Sequence, residues 1–210
     1  MIAAALSLSV QVAVVATILV TIAGTLTGRA LAHRSFPGRE VVETLLSLPL
    51  VLPPTVTGYV LLVLLGRRGL LGGLSIPFSW LACVVAAAVM SFPLMHRAAR
   101  VAFEELDPRH TLTAASLGAG RLRSFLAIEL PLARRGLAAG IALAFARGLG
   151  EFGATLMLAG NIPGRTQTLP LAVYEASLTG ENRAALALCA LLTGVSIAVL
   201  LAVARLGRHR

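Results

Sequence analysis

Four stretches of this chain, residues 2–28, 44–66, 69–95 and 184–204, contain no Asp, Glu, Lys or Arg. A fifth, 136–160, is interrupted only by Arg147 and Glu151. A helix that crosses a bilayer needs about 20 apolar residues, because the core is about 30 Å thick and each residue rises about 1.5 Å. Five spans therefore fit, at about 6–27, 42–65, 74–96, 136–159 and 184–205. Residues 169–177 are too few to cross and read as a short external or re-entrant helix, entered through the Asn-Ile-Pro-Gly turn at 161–164. The expected fold is an all-α integral membrane protein of five transmembrane helices, six if the short helix crosses. No internal repeat breaks it up, so residues 1–210 form one domain. With 57% hydrophobic residues and a mean hydropathy of +0.87, the chain has more apolar surface than a soluble domain of 210 residues can cover.

The basic side consists of 18 arginines and no lysine. That excludes the Gly-Lys-Ser/Thr phosphate loop of a nucleotide-binding ATPase. A net charge of +9 could suggest nucleic acid, but the arginines sit in short loops between apolar runs, as orientation signals do. With the N-terminus outside, segments 28–41, 97–135 and 206–210 face the cytoplasm. They hold Arg29, Arg34, Arg39, Arg97, Arg100, Arg109, Arg121, Arg123, Arg134, Arg135, Arg208 and Arg210, and Arg205 lies at the same edge. The external side holds Arg67, Arg68, Arg165 and Arg183, so thirteen face four and the positive-inside rule places the C-terminus in the cytoplasm. The first apolar run has its charges after it rather than before, which fits a retained span and not a cleaved signal peptide. With the last residue at Arg210, no appended regulatory domain is expected. Cys83 and Cys189 both lie in apolar runs and imply no disulfide framework.

The long polar interval is 107–131. Asp107 suits a helix cap and Pro108 the first helical position. The helix should stop at Gly118, which accepts positive φ. A second short segment from Gly120 places Leu122, Phe125, Leu126 and Ile128 on an apolar side, with Arg121 and Arg123 facing away, and Pro131 is expected to end it. A helix, a glycine elbow and a second helix between spans suit docking into a partner. An amphipathic loop lying on the lipid headgroups suits them equally.

Within the spans, Pro53 and Pro54 must interrupt a helix, since each removes a backbone donor and crowds the preceding turn. Carbonyls freed within hydrocarbon need protein or a wet cavity, and Thr55 and Thr57 could offer hydroxyls to a passing anion or to the helix's own backbone. Arg147 and Glu151, four apart, are expected to share one helix face and either pair with each other or face the bundle interior, because an unpaired charge at that depth costs at least ~2.5–3.5 kcal/mol. They read either as a moving polar element or as a static lock. His33, His96, His110 and His209 are scattered and read as interfacial residues without metal-ligand spacing. Glu104 and Glu105 read as solvated charges. No nucleophile, base and orienting group assemble, so no enzymatic or metal site is expected.

Gly118, nine residues, Ile128, one residue, Leu130 and Pro131 resemble the coupling-loop signature of permease subunits of ATP-binding-cassette importers. The signature's opening Glu-Ala-Ala falls on Leu112, Thr113 and Ala114, a match at one position of three. Residues 143–174, 47–59 and the Gly66-Arg-Arg-Gly tail are similar to the molybdate branch of these bacterial and archaeal permeases. The Arg-x-Leu-Gly-Glu-Phe-Gly core at 147–153 is shared with sulfate and thiosulfate permeases. The similarity covers about residues 40 to 205.

The resemblance implies a coupling loop at about 101–131, with Leu112, Thr113, Ala114, Gly118, Phe125, Ile128, Leu130 and Pro131 contacting the ATPase. It implies a homodimeric pathway in the inner membrane, two cytoplasmic ATPases carrying ATP and Mg, and an external oxyanion-binding protein. Pro53, Pro54, Thr55, Thr57, Arg147 and Glu151 are the pathway candidates. Arg67, Arg68 and Arg165 are candidates for docking the binding protein by long-range steering. Tungstate, sulfate or thiosulfate import, an autonomous secondary transporter and a membrane enzyme are the alternatives.

Overall fold

The computed structural model describes residues 2–33 and 36–208, with side chains through Leu201. Arg34, His209, Arg210 and the side chains of Arg205 and Arg208 lie outside the described residues. The helices are α1 (Ile2–Ala32), α2 (Arg39–Val51), α3 (Pro54–Leu65), α4 (Trp80–Glu104), α5 (Pro108–Ser116), α6 (Arg121–Ser124), α7 (Leu130–Leu149), α8 (Gly153–Ala159), α9 (Leu169–Leu178) and α10 (Asn182–Arg208), with no strand among the described residues.

Three helices, α1, α4 and α10, are each long and apolar enough to cross a membrane, and two bent pairs bring the number to five. The expected count holds, but two spans are not single helices. α2 and α3 bend by 113° at Leu52 and Pro53, where the two prolines forbid continuation. The unit running from Arg121 to Leu149 meets α8 at 58°, so the expected helix over 136–159 is broken at Gly150 to Phe152. The third span begins at Trp80, not 74, because Pro77 precedes it and Ser79 caps it by accepting the Ala82 N–H at 3.3 Å. α9, at ten residues and about 15 Å, is too short to cross.

Helix association inside a bilayer relies on close backbone approach, and this chain achieves it with paired small residues. Gly24 and Gly28 lie four apart on α1. A Cβ at Gly24 would sit 2.8 Å from Met95 Cγ, and one at Gly28 would sit 2.7 Å from Ala99 Cβ. Gly136 and Gly140 repeat the device on α7 against Ala102 and Ala98. From these pairings α1 runs parallel to α4, and α7 antiparallel to it. Those three helices enclose Val20, Met95, Ala99, Phe103, Leu137 and Ala144, and a second cluster joins Ala82, Cys83, Val84, Ala86, Ala87 and Met90 of α4 to Val12 and Ala16 of α1 and Ala154, Leu158 and Ala159 of α8.

α2 buries only Ser47 and is held to α4 by charge. Arg39 Nε lies 2.8 Å from Glu43 and its Nη2 2.8 Å from Glu104, while Arg100 pairs with both carboxylates. Glu104 is therefore a bridging residue and not a merely solvated charge. His96 is likewise not interfacial. It is 1% exposed, its Nδ1 is 3.0 Å from Thr27 Oγ1, and it stacks on Phe92.

Candidate functional site

Two places hold most of the residues that the sequence singled out. The first is the polar segment of residues 107–131. Asp107 caps α5, its carboxylate accepting the Arg109 N–H at 2.9 Å. Gly118 ends α5 at φ +82°, with its N–H bonded to Ala115 O at 3.0 Å and the Ala119 N–H to Ala114 O at 2.9 Å, the paired closure that a left-handed residue permits. Both features match expectation.

Pro131 does not end the segment. Residues from Arg121 to Leu149 continue as one helical unit through a π turn at Phe125–Glu129, in which the Leu130 N–H reaches back to Phe125 O. The wider turn comes immediately before the proline, where a regular turn would press its ring against the carbonyl four residues earlier. The expected apolar side also divides in two. Phe125 turns inward, its ring 6.3 Å from that of Phe103, whereas Leu122 and Leu126 are exposed, as are Leu112 within α5 and Leu117 at its end. Thr113 is exposed and Ala114 buried; Ile128 and Leu130 are half-buried and Pro131 exposed. Four exposed leucines thus lie on one short segment.

Glu129, the signature's variable position, is the residue that sequence reading missed here. It is 3% exposed and takes a two-pronged contact from Arg29, with Nε at 2.6 Å and Nη2 at 2.9 Å; His33 Nε2 stands 3.5 Å away. Glu129 lies before Arg134 and Arg135, outside the apolar part of the α7 unit. Its hydrogen bond to Arg29 holds the carboxyl below the usual carboxylate range, against the upward push of burial. A carboxylate set between Ile128 and Leu130 was the available signal, but its partner lies a hundred residues away.

The second place is the double break. A Cβ on Gly153 would lie 2.8 Å from Pro54 Cβ, and one on Gly58 would lie 2.7 Å from Ala154 Cα and 2.8 Å from Met157 Cβ. α3 and α8 therefore run parallel in backbone contact, with their two breaks side by side. Glu151 sits in the second break, not on the face of α7. Its Oε1 accepts the Ala154 N–H at 2.7 Å, and its Oε2 lies 2.7 Å from Arg147 Nη1 without hydrogen-bond alignment. The pair forms as expected, although Leu149 ends the helix between them.

Thr57, 7% exposed, carries a hydroxyl with no partner among the described residues, and Thr55 is exposed. The arrangement offers an arginine, hydroxyls and a charge-neutralising carboxylate beside interrupted backbone. Among the described residues it contains no nucleophile paired with a base. No group of three His, Cys, Asp or Glu side chains comes together among the described residues.

Replacing Glu151 alone leaves Arg147 facing a buried site without its counter-charge, so Glu151→Gln is expected to lower stability by about 3 kcal/mol. Arg147→Gln is expected to cost about as much, and the double variant less than the sum of the two. Thermal unfolding and uptake measured on all three variants check this; simple additivity would show that the two residues do not act as a unit.

Arg67 and Arg68, in the turn after α3, are exposed, as is Arg165 after α8. The loop after α3 meets the end of α8 where the Phe78 N–H bonds to Leu158 O at 3.1 Å, just before α4 begins. The ion cluster of Arg39 and Glu104 and the polar segment mark the other end of α4. The three arginines are thus grouped at the end opposite residues 107–131.

The family described as binding-protein-dependent transport system inner membrane component matches residues 20–209. The chain belongs to that family. As a permease-family member it is a multi-pass transport subunit that works with an ATPase and a binding protein. It is 48% identical over 192 residues to the molybdenum transport system permease protein ModB of Escherichia coli K12, covering 86% of this chain and 83% of that one. Its identity to the sulfate transport system permease protein CysT of the same organism is 33% over 216 residues, covering 98% and 78%. A crystal structure described as an amino acid ABC transporter with histidines superposes with a TM-score of 0.69 at 17% identity, over 100% of this chain and 94% of that one, a likeness of fold.

Proposed function

We propose that this chain is the membrane-spanning subunit of an ATP-driven molybdate importer, a single permease domain over residues 1–210. Two copies form one pathway along their shared axis, in a bacterial or archaeal inner membrane. Two cytoplasmic ATPases, which carry ATP and Mg, dock on the segment at 101–131, and an external oxyanion-binding protein docks at the end bearing Arg67, Arg68 and Arg165. The N-terminus is outside and the C-terminus inside. The chain has no nucleotide site of its own, consistent with its lack of lysine.

The observation that carries this reading is the 48% identity to a molybdenum permease against 33% to a sulfate permease. The exposed leucines on the coupling segment and the paired helix breaks fit the same reading. Closure of the ATPases on ATP draws two coupling segments together, and the α3–α8 unit with Thr55, Thr57, Arg147 and Glu151 re-aligns around the pathway. Weak contacts suit that pathway, because tight binding midway would slow release.

The test is uptake by vesicles containing permease, ATPase and binding protein. ATP-dependent uptake of labelled molybdate or tungstate, maintained when the proton gradient is collapsed, is expected. Uptake of sulfate alone would reassign the anion, and uptake without the ATPase would remove the importer reading.

A further inference from the structure

The coupling segment is fastened to α1 as well as to the helix that follows it. Glu129 closes the π turn and takes both prongs of Arg29, which projects from the last turn of α1. The Arg29 guanidinium also lies 4.7 Å over the Phe125 ring, and Phe125 contacts Phe103 of α4. A two-pronged contact fixes direction as well as distance, since rotating either partner breaks one of its bonds. α1 is an unbroken helix of 31 residues with this clamp in its last turn, in close contact with α4 at Gly24 and Gly28. Near its other end, Ser9 Oγ accepts the Leu169 N–H at 2.7 Å, at the start of α9 and after the loop that carries Arg165. One unbroken helix thus touches the coupling segment near one end and the start of α9 near the other.

We infer that Arg29 and Glu129 are positioning residues of the transport cycle, clamping α1 to the coupling segment so that the two move together and α1 carries that movement toward α9. This rests on the proposed reading in which a partner ATPase moves the coupling segment. A clamp needed only for folding would change the amount of assembled complex. A clamp that transmits movement changes how much substrate crosses per ATP hydrolysed.

The experiment measures molybdate uptake and ATP hydrolysis in the same vesicles, with permease, ATPase and binding protein present. For Glu129→Gln, hydrolysis within about twofold of wild type and uptake per ATP reduced about fivefold or more are expected. Arg29→Lys keeps the charge, loses the two-pronged geometry and should fall between. The reversed pair, Arg29→Glu with Glu129→Arg, should recover at least about half of the lost ratio.

Unchanged uptake per ATP in Glu129→Gln overturns the inference, as does a parallel loss of uptake, hydrolysis and co-purified ATPase. If Glu129→Gln does not assemble, Arg29→Lys decides on the same ratio. Wild-type vesicles that take up no oxyanion with ATP overturn the functional reading and this inference with it.

Discussion

Leu117→Asp is expected to abolish ATP-driven uptake while leaving the permease folded. Leu117 is 83% exposed at the end of α5, and Leu112, Leu122 and Leu126 are exposed on the same segment at 67%, 70% and 53%. Burying one such leucine in a partner contributes about 1.5–3 kcal/mol, and placing a carboxylate in the same pocket adds a desolvation cost. The affinity for the ATPase should fall by about 3 kcal/mol or more, over a hundredfold. Because the side chain touches little of its own subunit, the permease's unfolding should shift by no more than about 0.5 kcal/mol. Co-purification of the ATPase together with thermal unfolding of the permease checks both halves. Retained docking and uptake would show that the partner does not grip this face.

The second large effect lies where α3 touches α8. A Cβ at Gly58 falls 2.7 Å from Ala154 Cα and 2.8 Å from Ala154 O, which are backbone atoms that no rotamer change can move aside. Gly58→Val therefore forces the two helices apart, at a cost expected to reach about 3 kcal/mol. It also displaces Thr57 and the contact of Pro54 with Gly153, so uptake should fall more than about tenfold even at temperatures where the variant stays folded. Gly73→Ala is the matched control, because nothing lies within 4 Å of a Cβ there. Equal unfolding temperatures for the two variants would mean that the α3–α8 contact does not hold the breaks together.

The arginine clamp and these two sites differ in how far apart their members lie in the chain, and that difference decides what a sequence reading can reach. Asp107, Pro108 and Gly118 act on backbone within a few residues of themselves, so their caps and turn were legible directly. The break at Pro53 and Pro54 was legible for the same reason: a missing donor is a local fact. The break at Gly150 to Phe152 was not, because glycine permits a helix to stop without requiring it. The close approach of Gly153 to Pro54, beside the Ala154 N–H that Glu151 accepts, supports the stop there.

By itself, then, the sequence determined a membrane-embedded helical chain with five candidate spans, its excess of arginines between certain spans, and the polar segment with its glycine stop. These follow from hydropathy, charge and backbone chemistry, which act over one or two turns. Only the tertiary structure decided that Glu129 pairs with Arg29, that Glu104 bridges two arginines from α2 and α4, and that two broken helices lie side by side. Apart from Arg100, which lies one turn from Glu104, those partners are separated by about 65 to 100 residues, and a contact across that distance is fixed by how glycine and alanine faces let helices approach, a property of pairs of helices and not of any one segment.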